Sequence, residues 1–341
     1  METIKNFLKH RLTIGLLGLV LGGFLGWYVM YRVAPASVPR VVRVGIQNNH
    51  YKYIDPLLTY DISNDSGFLE YRPFEKKVND LIDQLKAEGK ISDAGFYFRG
   101  FKTGYWYGVN EEDKFSPGSL MKVPLMMAYF KLAQSNSQIL SKRLVYEGNF
   151  DANLAEVYKP AEAIKSGQSY TVDELIRYMI VYSDNNAANL LLANINQNSF
   201  GEIFADLGVD LPDLTQGDKD FLTPKQYSLF FRILRNATYL NGEYSEKAME
   251  LLVDVDFPQG LLGGIPSNIE VADKYGEYLF HNPDGSQVTQ LHDCGLIYYP
   301  GRPYFLCVMT KGKNYNDLSS AIQSISQMVY AEVDKNATGA K

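Results

Sequence analysis

Apolar positions along this chain fall into three spacings. Residues 13–31 carry no charge, and as a helix they would run about 28 Å, close to the hydrocarbon thickness of a bilayer. Phe74, Val78, Leu81, Ile82 and Leu85 recur at helical spacing and end at Gly89, a residue suited to a left-handed C-cap. Leu318, Ile322, Ile325, Val329 and Val333 form one stripe of a final amphipathic helix. Between these two helices the period changes. Residues 94–99 and 105–109 read as a strand hairpin about Gly100 and Gly104, and residues 270–278, 291–299 and 304–310 read as three further strands.

The stretch separating the two strand groups is helical. A helix is expected from about Ser119 to Gln134, opened by Ser116-Pro117-Gly118. Thr171 and Glu174 have the spacing of a capping box for a helix reaching about Tyr182. Thr223 followed by Pro224 starts another, to about Arg235. The order is therefore helix, two strands, an all-helical insert, three strands, helix. It predicts an α+β fold: an antiparallel sheet flanked by terminal helices, with an all-α lobe. The divisions expected are an N-terminal segment (1–12), a transmembrane signal anchor (13–31), an irregular stalk (32–71), a catalytic domain (72–335) and a tail (336–341).

Chemistry enters at Ser119-Leu-Met-Lys122. Residues three apart on a helix share a face, which puts the Lys122 amine one turn above the Ser119 hydroxyl. A serine hydroxyl is a weak nucleophile until a base takes its proton, and a desolvated lysine can be that base. Alone, Ser-x-x-Lys recurs by chance and also reads as a capping serine followed by a solvated lysine. Two further triplets follow in order, Ser183-Asp184-Asn185 between helical segments and Lys274-Tyr275-Gly276 in a strand-like run.

Ser-x-x-Lys, Ser-Asp-Asn and Lys-x-Gly in this order resemble the signature of the penicillin-recognising serine enzymes, and residues 72–333 resemble the class A β-lactamase catalytic domain. Phe115-Ser-Pro-Gly-Ser119-Leu-Met-Lys122-Val-Pro-Leu looks like that family's nucleophile segment. Tyr182-Ser-Asp-Asn-Asn-Ala-Ala-Asn189 looks like its second box, Asp220-Phe-Leu-Thr-Pro224 like the end of its Ω loop, and residues 292–304 like its last hairpin. The resemblance implies Ser119 as acyl acceptor and Lys122 as proton acceptor. Ser183 would relay a proton to the leaving nitrogen, and Asn185 would hold the acyl side-chain carbonyl. Lys274 would meet the substrate carboxylate. Tyr275 and Gly276 complete the third box, and the backbone N–H of Glu277 joins that of Ser119 in an oxyanion hole.

Two departures stand out. The family's third box usually has Thr or Ser where this chain has Tyr275, whose hydroxyl is much farther from the backbone. Between Phe200 and Pro224 there is no Glu-x-x-x-Asn, the source of the family's deacylating glutamate, and no arginine to pair with Asp220. Asp210 and Asp213 are the nearest substitutes, without supporting spacing.

The remaining features narrow the picture. A net charge of −6 without a dense basic block argues against a nucleic-acid partner. His10, His50, His281 and His292 lack metal-ligand spacing, and neither metal nor cofactor is called for; His292 is expected to satisfy a strand-end hydrogen bond. A turn at residues 300–303 would place Tyr299 opposite Tyr304, setting Cys294 and Cys307 diagonally as two buried thiols. Trp27, Tyr28 and Tyr31 cluster at one end of the apolar span as an interfacial belt does, while Ala34-Pro35-Ala36 allows the alternative of a cleaved signal. Gly18, Gly22 and Gly26 permit a weak helix dimer, although glycine is common in membrane spans anyway. With the span as anchor, the domain is expected outside the cytoplasm at the cell membrane.

Three functions are compatible: a membrane-anchored serine hydrolase acylated by β-lactams, with slow deacylation; a cell-wall enzyme cutting D-alanyl-D-alanine ends; and a non-catalytic relative of the fold. The small-molecule partner is accordingly a β-lactam or a D-alanyl peptide.

Overall fold

The computed structural model describes residues 44–45, 51–59, 72–148, 150–212, 219–281, 285 and 287–338. The expected anchor at 13–31 and its glycines lie outside them. Among the described residues no helix is long and apolar enough to cross a membrane.

In chain order the elements are β1 (Val44–Gly45), β2 (Leu57–Thr59), α1 (Arg72–Ala87), β3 (Asp93–Gly100), β4 (Trp106–Val109), α2 (Lys122–Ser135), α3 (Gln138–Ser141), β5 (Arg143–Tyr146), β6 (Gln168–Thr171), α4 (Val172–Val181), α5 (Asn185–Asn194), α6 (Gln197–Asp206), α7 (Pro224–Arg235), α8 (Gly242–Val253), β7 (Val271–His281), β8 (Gln287–Ile297), β9 (Tyr304–Gly312) and α9 (Tyr315–Thr338). Five strands form an antiparallel sheet in the order β4-β3-β9-β8-β7. This is the expected α+β arrangement. Strands β8 and β9 are buried at nearly every position, as strands covered on both faces must be. Helix α9 packs on both of them and against α1, and α7 also packs on the sheet. The α9 stripe Leu318, Ile322, Ile325, Val329 and Val333 is buried throughout. Gly89, just past α1, takes φ +70°, the left-handed conformation its C-cap position requires.

Three details differ from the sequence-based expectation. The helical insert contains a small hairpin, β5 with β6, too short and too exposed to announce itself by alternation. Part of the stretch expected as an irregular stalk lies on the domain: the backbone N–H groups of Lys52, Tyr53 and Ile54 donate to Glu246, and Asp55 pairs with Arg235. The last hairpin has a different register. Tyr304 faces Ile297 instead of Tyr299, because Arg302 N–H bonds Tyr299 O across a turn with Pro300 second and Gly301 at φ +70°. That register sets Cys294 directly opposite Cys307, and the two form a disulfide in place of the expected free thiols.

Candidate active site

Ser119 lies in a 3-10 turn, Gly118–Met121, with α2 beginning at Lys122. The expected helix thus starts as a tighter coil around Ser119. Gly118 has φ +52°, and a Cβ there would fall 2.4 Å from Glu277 O; a Cβ on Gly276 would fall 2.4 Å from Pro117 O. Only bare backbone lets β7 approach the turn this closely. The contact sets residues 276–277 against 117–119, the juxtaposition that an oxyanion hole from the Ser119 and Glu277 amides needs. His292 steadies the approach to this turn. Its ring lies in the middle of β8, not at the strand end expected; Nδ1 accepts from Thr310 N–H (3.2 Å) and Nε2–H donates to Ser116 O (2.9 Å). Burial holds its pKa down at about 4, so the ring is neutral.

The other two triplets converge on Lys122. Helix α4 is started by the Thr171–Glu174 capping box and ends before Ser183, a buried residue held at φ +57°. A non-glycine residue there costs free energy, and the surrounding bonds hold it. Lys122 Nζ donates to Ser183 O (2.6 Å), Ser183 Oγ (3.0 Å) and Asn185 Oδ1 (2.6 Å). Lys274 Nζ donates to the same Ser183 Oγ (2.9 Å) and to Tyr275 O (3.2 Å). The lysine expected above Ser119 therefore turns its amine toward the Ser-Asp-Asn turn.

Two buried ammonium groups on one hydroxyl repel each other. Burial lowers the Lys122 pKa to about 8, and burial together with Lys122 pushes Lys274 well below the ordinary lysine range. Three acceptors match the three protons of Lys122 as an ammonium; once it is neutral, one pair of electrons is free to take a proton. The acylation rate constant is accordingly expected to rise with pH and level off above about 8. Stopped-flow acylation from about pH 6 to 10 checks this, and a flat profile would remove Lys122 as proton acceptor.

Tyr275 is buried: its ring stacks on Phe257 (centroids 3.9 Å apart), Tyr158 meets it edge-on, and Lys274 Nζ sits 3.9 Å over it. It serves as a wall and a cation-π partner of Lys274.

Several residues without an assigned role from sequence support the site. Asp184 Oδ1 caps α5 at Asn186 N–H and accepts from Asn153 Nδ2, while Oδ2 accepts from Ile164 N–H. Asn153 Oδ1 in turn accepts from Asn185 N–H. Asp273 and Asp293 are buried beside Lys274, and each has one oxygen without another partner. Burial pushes both carboxyls up, and one shared proton satisfies both oxygens. Their signal was in the sequence, Asp273 preceding Lys274 and Asp293 following His292, but only the pairing of Tyr275 with Asp293 reveals them as neighbours. Glu156 bonds Asn185 Nδ2, and Glu277 accepts the N–H groups of Val157 and Tyr158.

The stretch 200–224 lacks the family's glutamate, and its described carboxylates do not replace it. Asp210 is exposed. Asp220 accepts from Lys311 Nζ (2.7 Å) and Gln290 Nε2 (2.9 Å), so a lysine from β9 takes the part of the missing arginine. Asp213 lies outside the described residues.

A family model described as "Beta-lactamase enzyme family" matches residues 73–333. A β-lactamase of Bacteroides uniformis is 27% identical over 195 residues, which cover 51% of this chain and 64% of that protein; the match thus spans less than two thirds of the relative's length. Among solved structures, a PBP-A variant captured as an acyl-enzyme complex with penicillin G superposes with a TM-score of 0.63 at 20% identity, covering 77% of this chain and 97% of its own. A β-lactamase from Sphaerobacter thermophilus gives 0.62 at 20%, covering 74% and 95%. At these identities the structural likeness concerns the fold.

Proposed function

Because this chain belongs to the β-lactamase enzyme family, we propose that it is a membrane-anchored serine hydrolase, acylated at Ser119 by β-lactams and slow to release the product. The observation that carries this reading is the hydroxyl of Ser183 shared by Lys122 and Lys274. Such an arrangement keeps at least one lysine short of full protonation next to the nucleophile. Ser119 Oγ attacks the lactam carbonyl as its proton passes to Lys122. The oxyanion forms against the amides of Ser119 and Glu277, and Asn185 and Lys274 orient the acyl side chain and the carboxylate. The C–N bond then breaks as Ser183 hands its proton to nitrogen and takes one back from Lys122, leaving acyl-Ser119 for water to hydrolyse.

The test is time-resolved intact-mass analysis of the full-length chain in detergent with penicillin G. A one-to-one covalent adduct is expected; its absence would favour a non-catalytic relative of the fold. A penicillin-binding enzyme that cuts D-alanyl-D-alanine ends would use the same residues, and the missing glutamate between Phe200 and Pro224 favours it. Hydrolysis assays with a D-alanyl-D-alanine peptide rank the two.

For location, residues 13–31 serve as the anchor with the domain outside. The Cys294–Cys307 disulfide supports an oxidising compartment. Protease added to intact cells is expected to release a domain beginning near residue 40. Full protection of the domain would contradict this topology.

A further inference from the structure

Resting on the acyl-transfer reading, the cleft holds two carboxyls that the mechanism does not use. Glu156 comes from the loop after the 3-10 turn Ala152–Ala155 of the helical lobe, and Glu277 from β7 of the sheet. Glu156 Oε1 accepts from Asn185 Nδ2, the donor assigned to the acyl side-chain carbonyl. Glu277 accepts from Val157 N–H and, at 3.3 Å, from Tyr158 N–H, which ties the same loop to the strand forming the opposite wall. Burial and the adjoining Glu156 carboxyl push Glu277 up to about 9.

Lys122 and Lys274 lie close enough to feel the Glu156 carboxylate, but the hydrogen bonds of the nearby amines go to other partners. Lys122 and Lys274 point inward at Ser183, and Lys159 of the same loop donates to the carbonyls of Asn153 (3.0 Å) and Leu154 (2.8 Å). An acyl substituent reaching Asn185 therefore arrives beside an acidic pair that bridges both walls. We infer that Glu156 and Glu277 form a charge filter that favours substrates with an ammonium on the acyl side chain next to the scissile amide and disfavours those with a carboxylate there. Like charges brought together in a half-buried cleft repel and opposite charges attract, which selects among otherwise equal acyl groups.

Ampicillin, penicillin G and carbenicillin provide the probe, because they differ at one carbon, which carries an ammonium, a hydrogen or a carboxylate. Their acylation rate constants are measured by stopped flow on the full-length chain at about pH 6.5, below the ordinary α-amino range. Ampicillin is expected to react about 10-fold faster than carbenicillin, with penicillin G between. Glu156→Gln should shrink the spread to about 2-fold, and Glu156→Lys should reverse the order. Unfolding midpoints of the variants identify any loss due to misfolding, and the ratio among substrates is unaffected by partial loss of folded protein. Equal rates in the unaltered chain, or a spread untouched by Glu156→Gln, overturn the filter. So does equal acceleration of all three by Glu156→Gln, which would make the side chain a steric cover. Failure of all three to label the protein removes the acyl-transfer reading and the filter with it, whereas equal labelling removes the filter alone.

Discussion

Ser119→Ala is expected to abolish the penicillin adduct, with acylation falling by about 10⁴-fold or more. The hydroxyl is the only group removed, and it sits on a turn fixed by the backbone contacts of Gly118 and Gly276 with the opposing chain, so the site should otherwise keep its shape. Lys122→Ala should slow acylation by about 10²–10⁴-fold. That change also deprives Ser183 O and Asn185 Oδ1 of their donor, so part of its cost comes from a loosened Ser-Asp-Asn turn. Peptide mapping should locate the adduct on the fragment containing Ser119. An adduct that persists in Ser119→Ala would place the nucleophile elsewhere and undo the reading of all three triplets.

With penicillin G, a burst of about one equivalent is expected, followed by turnover slowed by about 10²–10⁴-fold relative to an enzyme with a positioned deacylating base. The two lysines proposed to act in acylation, Lys122 and Lys274, converge on one hydroxyl, that of Ser183. The family's Glu-x-x-x-Asn is missing from the sequence of 200–224, and among the described residues there Asp220 is committed to Lys311 and Gln290 while Asp210 faces solvent. Rapid-quench intact mass during steady-state hydrolysis should find acyl-enzyme as the dominant species. If free enzyme dominates at saturating penicillin, deacylation is fast and a base exists. Glu156, bonded to Asn185, and Asp213 are then the first residues to replace. A defect in carboxylate recognition caused by Tyr275 would have the opposite signature, a slower burst with an unchanged adduct lifetime.

Ordered triplets were legible because each is local: Ser119 with Lys122 one turn apart, Ser183 to Asn185 at a helix junction, Lys274 to Glu277 along one strand. The terminal helices and the strands were legible for the same reason, since burial of one face imposes a period of 3.6 or 2 on neighbouring residues. The capping box of α4 and the Thr223-Pro224 start of α7 announced their helices locally. What the chain determined by itself is thus the identity of its elements and the chemistry they carry.

Only the tertiary structure decided how these pieces face one another. Cys294 and Cys307 are paired by a strand register that depends on where one turn closes, and a shift of the paired positions separates them. Lys122 turned toward Ser183 because the Ser-Asp-Asn turn offers its amine three acceptors. Asp273 with Asp293, and Glu156 with Glu277, became partners across strands and across lobes, where nothing in the linear spacing marks them. Burial then altered their protonation. A short-range pattern records what a residue's own helix or strand requires of it; the pairing of distant carboxyls and the lowered pKa of a lysine follow from the low-dielectric cleft that forms only when the sheet and the helical lobe close around them.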